Sequence, residues 1–198
     1  MNGIPKVMEH VDPARLKRLH DGLSRAAEHD GVLDISYRTM DSPVGLLLLA
    51  ATVRGMVRVA FEREDHDAVL EELAQRVSPR ILQAPARVDV AARQFDEYFA
   101  KRRTVFDIPV DLGLSTGFRL SVLRHLTEIG YGHTESYAEV ALATGHPKAV
   151  RAVGSACATN PLPLLVPCHR VLRSDGSLGG YLGGLDAKRV LLSLESAA

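Results

Sequence analysis

The sequence is poor in cysteine, has no tryptophan, carries no net charge and contains no long apolar run. Its only cysteines are Cys157 and Cys168. Two thiols make no disulfide framework, which suits a reducing compartment, cytoplasmic or, in a eukaryote, nuclear. The apolar stretch LLLLAATV at 46–53 falls far short of the roughly 20 residues a membrane-spanning helix needs, so no membrane partner is expected. The start, MNGIPKVMEHVDPARLKRLHDG, lacks the apolar centre of a signal peptide. The two cysteines lie eleven positions apart, and the histidines do not fall at zinc-finger spacings, so no metal is expected. A formal charge of zero withholds the basic signature of a nucleic-acid binder, leaving room only for a local basic face.

What is present suits a globular α+β protein. Hydrophobic residues make up 46% of the 198, enough for one large domain or two small ones. PARLKRLHDGLSRAAEH at 13–29 has the spacing of an amphipathic helix, within an N-terminal extension of residues 1–30. LDISYRTM (33–40), LLLLAATV (46–53) and MVRVAFE (56–62) predict a three-strand antiparallel meander. Helical patterns follow at 65–77 and 87–100, RILQA lies between them, and TVFDIPVDL (104–112) reads as extended. These segments form an N-terminal α/β domain over 31–112. DLGLSTG at 111–117 is the best linker, and residues 113–198 form a mostly helical second domain.

That second domain shows helical spacing at 117–129, 136–144 and 149–159. Short helices around tight glycine turns fit a helix-turn-helix, although pattern alone favours an ordinary helical hairpin. Ala152, Gly154, Ser155, Ala156 and Ala158 imply that something, a helix or a DNA backbone, comes close to the third of these helices.

PLPLLVPCHRVLRSDGSLGGYLGG at 161–184 carries the chemistry. A lone buried cysteine is usually inert. Here Pro161, Pro163 and Pro167 define the position of Cys168, and His169 and Arg170 follow at once. Nearby positive charge is expected to lower the thiol's pKa. The glycines that follow suit a loop that approaches a ligand closely. A Cys–His hydrolase is a competing reading, although adjacent side chains rarely face one another. A non-catalytic DNA-recognition module is another.

NPLPLLVPCHRV, then GGYLGG and DAKRVLLSLE, resembles the active-site block of the O6-alkylguanine-DNA alkyltransferases. The match runs without an apparent gap from about Tyr137 to Glu195. The resemblance implies a ribonuclease H-like sheet in the first domain and a helix-turn-helix in the second. It implies irreversible transfer of an alkyl group from O6-alkylguanine, with O4-alkylthymine as a further candidate substrate, to the protein's own cysteine. The partner would be duplex DNA with the damaged base flipped out. No cofactor is implied, and a monomer is expected.

By the same resemblance, Cys168 accepts the alkyl group, His169 takes its proton through a water, and Glu195 orients His169. Tyr181 donates toward the leaving base, and Lys188 supports Tyr181 and its loop. Arg151 fills the gap left by the flipped nucleotide, and Tyr137 helps rotate its phosphate. Ala152, Gly154 and Ser155 bring the helix close to the groove. Asn160 bonds across the helix pair and positions the segment before the cysteine. Pro167, Val171, Cys157 and Leu182 belong to the guanine pocket. Where the family often carries glutamine and tryptophan, FRLSVL places Arg119 and Leu123. Leu182 stands where a polar residue is common, and Cys157 is not expected to be the acceptor. With no cysteine before 157, the N-terminal zinc ligands of some members are not expected.

Overall fold

The computed structural model describes residues 12–196. Residues 1–11 of the expected extension therefore lie outside the described residues. Helix α1 (Pro13–His29) starts where the Asp12 carboxylate accepts from Ala14 N and proline occupies a first-turn position, where its missing N–H costs nothing. Its apolar stripe is not buried: Leu16, Leu19 and Leu23 are 53%, 63% and 58% exposed. The helix is instead tied down by His20 and Ser24, both bonded to the carbonyl of Gln83.

Strands β1 (Ile35–Met40), β2 (Leu47–Thr52) and β3 (Gly55–Phe61) form the expected antiparallel meander. The sequence LLLAAT reads as a continuous apolar run because β2 is covered on both faces. Leu47, Leu49 and Ala51 enter one core, and Leu48 and Ala50 enter the other. Helix α2 (His66–Arg76) leads to β4 (Ile81–Gln83) and α3 (Asp89–Phe99). β4 lies beside β1 and runs parallel to it, giving the order β3-β2-β1-β4. The sheet is therefore mixed, not wholly antiparallel, because α2 carries the chain back across the sheet before β4 pairs.

The stretch 104–112 forms no strand. It docks through Met56 N to Pro109 O (2.8 Å) and Asp111 N to Met56 O (2.7 Å). That approach requires glycine at 55, whose φ is +133° and where a Cβ would sit 2.3 Å from Pro109 O.

Helix α4 (Gly117–Leu126) precedes the two-residue strand β5 (Glu135–Ser136) and helices α5 (Tyr137–Ala143) and α6 (Val150–Ala158). Ser136 and Glu139 form a reciprocal capping box that starts α5. A single 3-10 turn, Cys168–Arg170, leads into β6 (Val171–Leu172), parallel to β5, and the chain ends in α7 (Gly184–Ser196). One buried cluster joins the two halves. It runs from Leu47, Phe61 and Phe95 to Val122, Val153, Cys168 and Leu191. Each large apolar side chain buried there contributes about 1.5–3 kcal/mol.

Candidate active site

The 3-10 turn sets the geometry. Three residues per turn send successive side chains in three directions, so Cys168 and His169 do not face each other although they are neighbours. Cys168 is 2% exposed and points toward Asn160. The Asn160 Nδ2 donates to Cys168 Sγ at 3.1 Å and to Val166 O at 2.8 Å, while its Oδ1 accepts from Leu162 N at 3.0 Å. Asn160 thus locks the proline-bounded segment and touches the sulfur itself.

His169 and Arg170 both reach Glu195 on α7. His169 Nε2 lies 2.9 Å from Glu195 Oε1. Arg170 grips both carboxylate oxygens, Nε to Oε2 at 2.9 Å and Nη2 to Oε1 at 2.8 Å, and its Nη1 donates to Ile129 O. Tyr98 Oη donates to Glu195 Oε1 at 2.7 Å, and Gly132 N to Oε2 at 3.3 Å. Burial raises the Glu195 pKa, but these donors outweigh it and hold the carboxyl far below its ordinary range. An ionised Glu195 can only accept, so His169 Nε2 carries the proton and Nδ1 keeps its lone pair. His169 Nδ1 is buried without a hydrogen-bond partner, and burial pushes the ring's pKa down despite Glu195. The ring is a neutral base held in one tautomer.

The thiol's environment corrects one expectation. Burial pushes the Cys168 pKa up to about 11, and the hydrogen bond from Asn160 and the charge of Lys188 offset this only in part. Arg170 instead pairs with Glu195. At neutral pH the resting thiol is protonated, so reaction requires a base.

Lys188 is fully buried, yet its Nζ donates to Val171 O at 2.6 Å and makes no hydrogen bond to Tyr181. It supports β6, with its charge acting on both thiols. Tyr181 packs edge-on to Phe61 (5.5 Å) and to His169 (6.3 Å), and its hydroxyl is buried with no partner. Tyr137 lies over the same loop, where a Cβ at Gly179 would sit 2.3 Å from its hydroxyl. Its pKa is pushed up to about 12 by burial and by Cys157 and Cys168. Burial pushes the Cys157 thiol higher still than that of Cys168.

The four pocket residues are not gathered around one described cavity. Pro167 lines a cavity of about 300 Å³ with Phe106, Tyr131 and Arg170. Leu182 lines a different one, beside Arg58 and Arg119, because the loop turns toward the sheet at Gly183, which lies against Phe61. On α6 the pattern splits cleanly. Arg151, Ala152 and Ser155 are exposed and Gly154 half-buried, whereas Val153, Ala156 and Cys157 are buried. Arg119 reaches the end of α6, its Nη2 donating to Thr159 O at 2.6 Å.

Sequence reasoning missed Tyr98, which reaches the site from α3, and the bidentate role of Arg170. No group of three or more potential metal ligands occurs among the described residues, and no described helix is long and apolar enough to cross a membrane.

The buried charges fix an acid response. In the fold His169 and Glu195 both bind protons less readily than in the unfolded chain. The stability they supply is present above the unfolded values of 6.5 and 4.5 and is lost as pH falls through their lower folded values. Cys168 acts with the opposite sign: its contribution is present below 9.0 and is lost as pH rises through about 11. The melting temperature is therefore expected to be highest between these limbs and to fall as pH drops below 6.5. A melting temperature that stays flat on acidification, at matched ionic strength, would contradict this burial.

Two family models match the chain: the 6-O-methylguanine DNA methyltransferase ribonuclease-like domain over residues 35–112, and the DNA-binding domain of the same name over 117–197. A methylated-DNA–protein-cysteine methyltransferase of Mycolicibacterium paratuberculosis is 44% identical over 161 residues, 81% of this chain and 92% of that protein. The Mycobacterium tuberculosis protein of that name is 40% identical, covering 82% and 93%. The crystal structure of the M. tuberculosis O6-methylguanine methyltransferase is similar at a TM-score of 0.73, with 37% identity and the same coverage. A structure titled as M. tuberculosis OGT in complex with DNA gives 0.71, with 39% identity, again covering 82% and 93%.

Proposed function

This chain belongs to the 6-O-methylguanine DNA methyltransferase family, and on that premise we propose that Cys168 takes the alkyl group from O6-alkylguanine in duplex DNA. The chain is a methylated-DNA–protein-cysteine methyltransferase, an enzyme of direct DNA repair. The observation that carries the choice of residue is the buried relay. Cys168 sits on Asn160, and the next residue is a neutral histidine whose tautomer is fixed by an ionised Glu195.

In the step, His169 Nδ1 receives the thiol proton through a water. The sulfur then forms a bond to the alkyl carbon as that carbon's bond to guanine O6 breaks, and the electron pair leaves with the base. The buried hydroxyl of Tyr181, which has no protein partner, donates toward the departing base. The product thioether has no easy leaving path, so each molecule reacts once, and no cofactor enters the balance. One thiol and one relay within a single chain support action as a monomer, and the cysteine usage supports a cytoplasmic location.

A guanine O6 inside the duplex cannot reach a thiol that is 2% exposed, so the base must leave the stack. The exposed, small-residue face of α6 fits against the groove, and Arg151 on that face takes the place of the flipped nucleotide. Arg151→Ala is expected to slow repair of a methylated duplex by about 10–100-fold, the loss of one charged contact. Reaction with a free O6-alkylguanine base should remain within about twofold, and stability within about 0.5 kcal/mol. Equal losses on duplex and free base would remove Arg151 from the flipping step.

A further inference from the structure

A second concentration of charge lies beside the segment that carries Asn160. A crevice of about 320 Å³ opens between the sheet and the C-terminal helices. Arg58 enters it from β3, Arg76 and Glu72 from α2, and Arg119 from α4. Thr159, at the end of α6, and Leu182, next to Tyr181 in the glycine loop, complete the wall. Its lining therefore holds three guanidinium groups and one carboxylate.

The pairing of these cations is uneven. Arg76 bonds Glu72 and the carbonyl of Leu114. Arg58 pairs with Glu64 at 2.6 Å, the two side chains being 12% and 13% exposed, and its Nη1 donates to Asn160 O at 3.5 Å. Among the described residues Arg119 meets no carboxylate, and its one hydrogen bond goes to Thr159 O. Arg58 Nε and Arg119 Nε are both buried without a hydrogen-bond partner. A buried donor left unmade costs about 1–3 kcal/mol, and both arginines line the same crevice. Burial, with the charges of Arg76 and Arg58, also disfavours the Arg119 cation.

This is an excess of positive charge with forked N–H donors, in a space large enough for several waters of about 30 Å³ each. Tetrahedral oxyanions match such donors in both charge and geometry. We infer that the Arg58–Arg76–Arg119 crevice is a binding site for a phosphate group. This inference stands without the reading of Cys168. An occupant ties β3, α2 and α4 together beside Leu182, the residue that follows Tyr181. The phosphate has two possible sources: a free phosphate or phosphate ester, or the DNA backbone. The crevice continues the exposed end of α6, where Ala158 and Thr159 line it.

The test is a titration of the intact, 15N-labelled protein with inorganic phosphate, from micromolar to tens of millimolar, with chloride holding ionic strength constant. The side-chain Nε–H signals of Arg58 and Arg119 are followed. Saturable shifts of both are expected, with none on adding chloride alone. In Arg119→Gln the response of Arg58 should weaken about tenfold or more, the loss of one charge-assisted contact. In Arg102→Gln, an exposed change elsewhere, it should not alter. If Arg119→Gln fails to give a native spectrum, Arg76→Gln on exposed α2 takes its place with the same expectation. Absence of saturable shifts, or shifts unchanged in the crevice variants, overturns the proposal. A second arm adds undamaged duplex. Movement of both signals, competed by phosphate, identifies the DNA backbone as the source; saturation by phosphate but not by duplex identifies a free phosphate.

Discussion

Glu195→Ala is expected to destabilise the protein by about 3–5 kcal/mol and to cut alkyl transfer at least 100-fold. The size follows from what the carboxylate holds. It accepts from His169, from Arg170 twice, from Tyr98 and from Gly132, and it is 3% exposed. Removing it strands the Arg170 cation in the interior, and breaking one side of a buried ion pair costs about that much. It also frees His169 to change tautomer or rotate, and a misheld base loses the geometry on which proton transfer depends. Glu195→Gln separates the two effects. It keeps the shape and an acceptor oxygen but presents an NH2 where donors converge, so it should fold better than Glu195→Ala and still transfer slowly. Chemical denaturation and single-turnover kinetics read the two quantities. Transfer at the wild-type rate in a folded Glu195→Gln protein would show that His169 needs no ionised partner.

The second large effect belongs to Asn160. Asn160→Ala leaves Leu162 N without its buried partner, removes one of the two donors to Val166 O, which keeps the bond from Cys168 N, and removes the donor to Cys168 Sγ. The stranded Leu162 N costs about 1–3 kcal/mol and the lost bond to Val166 O about 1 kcal/mol, so a total loss of about 2–4 kcal/mol is expected. The donor to sulfur favours the thiolate, and without it the thiol's pKa should climb above the value of about 11. Transfer at neutral pH is then expected to fall about 10–100-fold, the worth of one hydrogen bond to a charged group. The pH–rate profile should move to higher pH. A slower variant with an unmoved profile would mean that Asn160 only holds the backbone.

Periodicity and local chemistry made much of this molecule legible. The pattern over 13–29 marks α1, and the serine that opens SYAEV, with glutamate three positions on, starts α5. The run 46–53 is readable as a strand because β2 is buried on both faces. β4 is not readable: three residues carry no period, and their pairing with β1 depends on where α2 returns the chain. The relay divides in the same way. Cys168, His169 and Asn160 lie within nine positions of each other, and the segment they share can be quoted. Tyr98 lies 97 positions from Glu195, and nothing local marks a tyrosine of α3 as a donor to α7. The thiol's pKa is not legible for a related reason. Adjacency to His169 and Arg170 predicts a lowered value, but both side chains reach Glu195, and burial decides the shift. The helix-turn-helix pattern leaves open whether α6 faces protein or groove. Arg151, Ala152 and Ser155 are exposed, whereas Ala156 is buried.

The central claim is that Cys168, and not Cys157, takes the alkyl group. Incubation of the protein with duplex DNA containing O6-methylguanine, followed by digestion and peptide mass spectrometry, tests it directly. Both thiols are buried, and that of Cys157 is pushed further from ionisation. The relay predicts one adduct of about 14 Da, the mass of a methyl group replacing a proton on a reacting thiolate. The adduct should lie on the peptide containing Cys168, reach one per protein molecule and be absent from Cys168→Ala. A methyl group on Cys157, or an unmodified protein beside repaired DNA, would contradict it.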